Sequence, residues 1–312
     1  MGPKAIDEIL PCFTIVSSES AIVVADLQKR YGEFEAVKGI SFSVRRGEVF
    51  GLLGPNGAGK TTTVEILEGY RHRTSGDVSV LGFDPGDRPV ALRQRTGIVL
   101  QSTGMYRHIK VREAVAHWAA LYPHPRDVDE TIAAVGLDEK REATTRQLSG
   151  GQLRRLDLAL ALVGDPELIF LDEPTTGFDP AARRASWDTI RALRDLGKTV
   201  LLTTHYLDEA QELADRVAII KGGEIQAVGT PAELGVGAKT RVRVSWRDEE
   251  GLLQERQVDD PTALVHELTG AALAAGHDVR ELTVTRPSLE DVYLELTADV
   301  DAVTPAPEVA GV

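Results

Sequence analysis

A single cysteine, Cys12, stands in 312 residues. One thiol excludes an intramolecular disulfide framework and a cysteine-only metal site, and it fits a reducing compartment. Long apolar runs are missing as well. No window approaches the roughly 18 consecutive apolar residues of a membrane-spanning helix, so any membrane crossing falls to another chain. Positive charge is in deficit: 35 Lys and Arg face 48 Asp and Glu, a formal net charge of −13. That balance argues against a broad electropositive surface, and hence against nucleic acid as a partner, while leaving room for a local phosphate site. The start, "MGPKAIDEILPCFTIVSSES", carries no strongly basic leader, and Pro11 breaks its apolar run, so residues 1–20 read as a cytosolic extension rather than a signal peptide. Myristoylation is set aside because Ile6 stands where that motif needs Ser or Thr.

What is present is an ordinary globular composition, 42% hydrophobic and 27% charged, with length for about two domains. From Ile22 to Val44 apolar-rich extended segments predict an antiparallel β start, and "VFGLL" predicts a buried strand running into the first glycine-rich loop. Three more short apolar runs follow: "GIVL" (97–100), "LIFL" (168–171) and "TVLLTT" (199–204). Helix-like stretches such as "VREAVAHWAALY" and "RRASWDTIRALRDLG" lie between them, which predicts an α/β fold with a mostly parallel sheet covered by helices. Each run ends in polar residues: the glycine loop, Gln101, Asp172 with Glu173, and His205. In open α/β sheets ligands bind beyond the carboxyl ends of the strands, so these distant positions are expected at one site.

A hairpin is expected around Gly222 and Gly223, and "TPAELGVGAK" (230–239) reads as a linker. The first domain is therefore expected over 21–235. Two short extended runs, a helix over "PTALVHELTGAALAAG", the strand-like "VRELTV" and the closing "PSLEDVYLELT" compose a small α+β domain, 236–298. Residues 299–312 lack periodicity and read as a disordered tail.

The stretch Gly54-Pro55-Asn56-Gly57-Ala58-Gly59-Lys60-Thr61, followed by Thr62, fits G-x-x-x-x-G-K-[ST]. Its glycines let backbone N–H groups curl around phosphate oxygens, Lys60 reaches the β and γ phosphates, and the Thr61 hydroxyl suits Mg²⁺. The helix beginning near Gly59 adds its positive end. At the next strand end Asp172 would hold Mg²⁺, directly or through water, and Glu173 would orient and deprotonate an attacking water. Gln101 is placed for contact with Mg²⁺ or that water. His205 could hydrogen-bond the γ-phosphate or be merely a surface or satisfied core histidine. Tyr31 could stack on an adenine ring or simply cover the core. "LSGGQ" puts Ser149, Gly150, Gly151 and Gln152 at a helix start, a second anion site. A plain cap explains Ser149, but two glycines and a glutamine are more than a cap needs.

In this order and spacing the chain resembles the ATP-binding subunits of ABC transporters: Tyr31, Walker A at Gly54 to Thr61, Q-loop Gln101, signature Leu148 to Gln152, Walker B ending at Asp172, then Glu173, D-loop Asp179 and switch His205. "GDPELIFLDEPTTGFDP" and "PSLEDVYLELT" are similar, more narrowly, to the daunorubicin/doxorubicin-resistance branch that powers drug efflux. The resemblance implies a P-loop cassette with an antiparallel β subdomain and a helical subdomain, ATP with Mg²⁺, and hydrolysis coupled to transport. It also implies a homodimer or paired cassette in which Ser149 of one copy closes on the phosphate at Lys60 of the other. A separate transmembrane permease, and a place on the cytoplasmic face of the membrane, follow from it too. Departures are small. Phe178 stands where the family usually has leucine, and "LRRLDLA" follows the signature where glutamine-arginine-valine is more widespread.

Overall fold

The structure, a computed structural model, describes residues 19–100, 108–237, 242–248, 250–276, 278–285, 290 and 293. Gln101, nearly all of the N-terminal extension and the tail lie outside the described residues, as does most of "PSLEDVYLELT". In chain order, β1 (Ser20–Tyr31) and β2 (Phe34–Arg45) pair as a hairpin, β3 (Val49–Leu53) leads into the glycine loop, α1 (Lys60–Leu67) leaves it, and β4 (Ser75–Val80) returns to β1. Next come α2 (Val90–Gln94), β5 (Thr96–Val99), α3 (Val111–Ala119), α4 (Val128–Ala134) and α5 (Gly150–Leu162). They are followed by β6 (Leu168–Asp172), α6 (Pro180–Asp195), β7 (Thr199–Thr204), α7 (Leu207–Leu213), β8 (Arg216–Lys221) and β9 (Glu224–Gly229). The chain divides into two compact units between Ile225 and Gln226.

The first unit holds the three-stranded antiparallel sheet β2-β1-β4 and, up to the start of β9, the main sheet, whose order is β5-β6-β7-β3-β8-β9. Pairing from β5 through β8 is parallel, and β9 follows β8 through Gly222 and Gly223, whose φ values of 56° and 85° suit the expected turn. A strand buried on both faces alternates its side chains between two layers. Phe50, Leu52, Leu168, Phe170 and Leu201 enter one apolar cluster with β1, β2 and α1. Val49, Ile169, Leu171, Val200 and Leu202 enter the other with α3, α5 and α6. Phe42 of β2 stacks on Phe50 of β3 at 5.5 Å between ring centroids, which joins the antiparallel sheet to the parallel one. Burying each such side chain contributes about 1.5–3 kcal/mol, which anchors the sheet that carries the site on both faces.

In the second unit, α8 (Pro231–Gly237) is followed by β10 (Val242–Arg247), β11 (Leu253–Val258), α9 (Thr262–Ala275) and β12 (Arg280–Thr285), with antiparallel order β11-β10-β12. The strand and helix assignments made here from sequence hold. The linker reading of 230–239 does not, because 231–237 is helical. Thr230 and Glu233 form reciprocal hydrogen bonds of 2.8 and 3.1 Å, a capping box that starts the helix.

Candidate functional site

The loop after β3 is glycine-rich in part because the backbone of neighbouring strands leaves no room for side chains at two places. A Cβ on Gly54 would lie 2.2 Å from the Ile220 carbonyl oxygen, and one on Gly59 would lie 2.6 Å from that of Ala36. Gly59 also has φ 102°, which an L side chain rarely adopts, and it caps α1 without a side-chain acceptor. The Thr63 amide donates to the Gly59 carbonyl at 2.9 Å, and the amides before it, at the start of α1, lie ahead of the first intrahelical bond, a ready anion site. Lys60 is 4% exposed. Its Nζ donates to the carbonyls of Gly54 at 2.7 Å and Pro55 at 3.2 Å and stands 3.4 Å from Glu173 Oε1. Burial lowers its pKa, against the opposing pull of Glu173. Pro55, Asn56, Gly57 and Ala58 complete the loop, and Thr61 is exposed at its helical end with Thr62 half-buried.

Strand register brings the acidic pair to the same edge: Leu53 is opposite Thr204, and Thr203 is opposite Asp172. Leu100, the last described residue before Gln101, follows Val99, whose partner is Leu171. The convergence expected of the strand ends is therefore present for the glycine loop, Asp172, Glu173 and His205. Glu173 has φ 44°, an unfavourable left-handed conformation for a side-chain-bearing residue, of the kind that clusters at functional sites. Its Oε1 is 3.3 Å from His205 Nδ1, and its Oε2 accepts from the Thr176 hydroxyl at 3.0 Å. Burial alone would raise the Glu173 pKa, but Lys60, Thr176 and His205 outweigh it and hold the carboxyl below its ordinary value. Asp172 goes the other way, pushed up first by burial and then by Glu173.

The signature stretch begins α5. Ser149 Oγ accepts from the Gln152 amide at 3.3 Å, and Gln152 Oε1 accepts from the Ser149 amide at 3.0 Å. Gln152 therefore has a local task that the sequence reading did not give it, the return half of a capping box. The two glycines gain no such explanation. A Cβ on Gly150 would meet nothing within 4 Å, and one on Gly151 would only touch Ala182 at 4.0 Å. Asp179 caps α6, accepting from the Ala182 amide at 2.9 Å. Tyr31 ends β1, 39% exposed. Lys29 Nζ lies 4.9 Å and the Arg71 guanidinium 5.3 Å from its ring centroid, so its role as a core cover is not what the structure displays.

Three polar residues here escaped sequence reasoning. Thr203, fully buried on β7, donates to Asp172 Oδ1 at 2.6 Å and accepts from the Glu173 amide at 2.9 Å, fixing both acidic residues. The signal was its place two residues before His205 on a strand bound for the same edge. Glu68, just past α1, is pushed up to about 8 by burial and by the nearby carboxylates of Asp172 and Glu65. Its Oε1 is buried with no hydrogen-bond partner among the described residues. Arg154 is a buried arginine on α5.

A glycine loop between a parallel strand and a helix, with lysine reaching an acidic strand end, defines a P-loop nucleotide-binding protein of the α/β class. A family profile described as ABC transporter matches residues 37–176. The daunorubicin resistance ATP-binding protein DrrA3 of Streptomyces coeruleorubidus is 36% identical over 310 residues, covering 90% of this chain and 97% of that protein. A Nod factor export ATP-binding protein I of Burkholderia pseudomallei is 40% identical, over 90% of this chain and 98% of its own. Among solved structures, cbiO1 from Clostridium perfringens, part of an ABC transporter complex, aligns with TM-score 0.63 and 28% identity over 70% of this chain and 91% of that one. The chain belongs to the ABC transporter ATP-binding family, whose members are ATPases. Its resemblance to the daunorubicin-resistance proteins extends over nearly the whole length.

Proposed function

We propose that this chain is the ATP-hydrolysing subunit of an exporter that moves a drug-like or other hydrophobic substrate through a separate transmembrane permease, at the cytoplasmic face of the membrane. The observation that carries the reading is the position of Glu173 Oε1, 3.4 Å from Lys60 Nζ and 3.3 Å from His205 Nδ1 and next to Asp172. Lys60 and the α1 amides bind the β and γ phosphates of ATP, and Tyr31 stacks on the base. Glu173, kept ionised, takes a proton from the attacking water, and His205 holds the γ-phosphate from the neighbouring strand end.

The donor set suits Mg²⁺: Thr61 offers a hydroxyl, Asp172 a carboxylate, and from sequence Gln101 an amide oxygen. These are hard oxygen ligands of the kind that share the ion with substrate phosphates. Burial first, and Glu173 and Glu65 after it, raise the pKa of Asp172, so a cation beside it would favour the carboxylate form. Bound there, the ion would neutralise charge developing on the phosphates.

The open space before Gly150 and Gly151 supports pairing of two cassettes head to tail, with Ser149 and those amides closing on the γ-phosphate held by the other copy's Lys60. No helix among the described residues is long and apolar enough to cross a membrane, which accords with a separate permease. Glu173→Gln tests the core of this reading. Phosphate release should fall at least about 100-fold, and ATP should shift the variant to a dimer in light scattering. A variant that stays monomeric at saturating ATP with wild-type turnover would sink it. Export is tested by expressing the chain with and without its genomic neighbour permease and measuring dye or anthracycline efflux, which should require both.

A further inference from the structure

Arg154 is only 5% exposed, in the second turn of the helix that begins at Ser149. Burying a guanidinium costs several kcal/mol unless its N–H groups find partners. Here Nε donates to the Pro174 carbonyl at 3.2 Å, Nη2 to that of Asp172 at 3.3 Å, and Nη1 to that of Leu100. Asp157, one turn on, is 3.9 Å away, an ion pair beyond hydrogen-bond reach. All three acceptors are backbone oxygens at the carboxyl ends of β5 and β6, and the residues beside them are Gln101 and Glu173. A planar fork fixed at three carbonyls ties α5 to both strand ends in a way that one flexible ammonium could not. Five residues at about 1.5 Å rise put this anchor about 7–8 Å along the axis from Ser149.

We propose that Arg154 is a positioning residue that couples the signature helix of each chain to that chain's own Glu173. The inference rests on the head-to-tail pairing proposed above, in which Ser149 serves the neighbouring copy's nucleotide. α5 then answers to one ATP while its arginine aims the carboxylate that acts on the other. The two sites of a dimer are thereby linked through three backbone carbonyls.

Mixed dimers separate the possibilities. One copy carries Lys60→Ala and donates Ser149; the other carries Ser149→Arg and supplies Lys60 and Glu173. Measurable turnover by this pair establishes head-to-tail pairing, and its absence overturns that reading by itself, before Arg154 is touched. Arg154→Lys is then placed in one copy or the other. On the Glu173-bearing copy it should lower kcat about 10- to 100-fold, as expected for a misplaced catalytic group, with the ATP KM within about threefold. The loss should be at least about 10-fold greater than on the Ser149-donating copy. Equal losses in the two placements, or a larger one on the Ser149-donating copy, would overturn the proposal and leave Arg154 as a support for α5. If the lysine variant melts well below wild type, Arg154→Gln is put through the same two placements, and the same inequality decides. In the homodimer, Arg154→Lys should also bring the Hill coefficient for ATP toward one.

Discussion

Glu68→Gln offers a quantitative check on the electrostatics beneath the site. Glu68 leaves α1 toward a cavity of about 600 Å³ lined by Arg88, Leu92, Trp118, Tyr122, Asp157 and others, and its pKa is raised from 4.5 to about 8. Burial dominates, with Asp172 and Glu65 adding repulsion. A carboxyl whose folded pKa lies above its unfolded value contributes stability that is complete below the unfolded pKa and is lost as pH rises through the folded one. At about 1.4 kcal/mol per pH unit the whole loss is about 5 kcal/mol, of which about 3 kcal/mol falls between about pH 6 and about pH 9. The glutamine variant keeps size and polarity but cannot ionise. Urea unfolding of both proteins across that range, with other carboxylates cancelling in the difference, should show wild type losing about 3 kcal/mol relative to the variant as pH rises. The difference should level off above about pH 9. A difference constant to within about 0.5 kcal/mol would mean that Glu68 ionises normally and that neither burial nor the carboxylates of Asp172 and Glu65 perturb it.

Thr203→Val removes the hydroxyl shared by Asp172 Oδ1 and the Glu173 amide, at 2.6 and 2.9 Å, without changing shape. A loss of about 2–4 kcal/mol in urea unfolding should accompany a fall in kcat of about 10-fold; wild-type values for both would show that the hydroxyl is idle. Gly59→Ala must place a Cβ 2.6 Å from the Ala36 carbonyl oxygen at φ 102°, so it should cost at least about 2 kcal/mol and weaken fluorescent-nucleotide binding about 10-fold or more. Unchanged nucleotide affinity would argue that the loop does not need its present backbone. The Glu173→Gln trap and the Arg154 mixed dimers complete the set.

Much of this was legible in the sequence because its signals are backbone signals. Short apolar runs gave the parallel strands, and the spacing of Gly54, Gly59 and Lys60 gave the loop, since each glycine answers a steric demand. Polar residues turned inward were not legible. Thr203 looks like any β-branched strand residue, and its task depends on a register with Asp172 that only the folded sheet displays. Arg154 sits between two residues of an amphipathic helix, Leu153 and Leu156, that periodicity marks for burial, and its acceptors lie 18 to 54 residues away. The α8 helix was missed for the opposite reason: "TPAELGVGAK" is short and glycine-bearing, so composition outweighed the capping box written in Thr230 and Glu233.

The glycines of this chain answer to two different judges. Gly54 and Gly59 are demanded by carbonyl oxygens of their own chain, so a library selected only for folding would preserve them. Gly150 has open space in front of it, and alanine at that first helical position would add up to about 1 kcal/mol of helix propensity. A selection for thermostability would therefore replace Gly150 readily, while a selection for turnover should restore it. Redesign of this cassette for robustness would need that position frozen by hand, because nothing inside a single copy argues for keeping it.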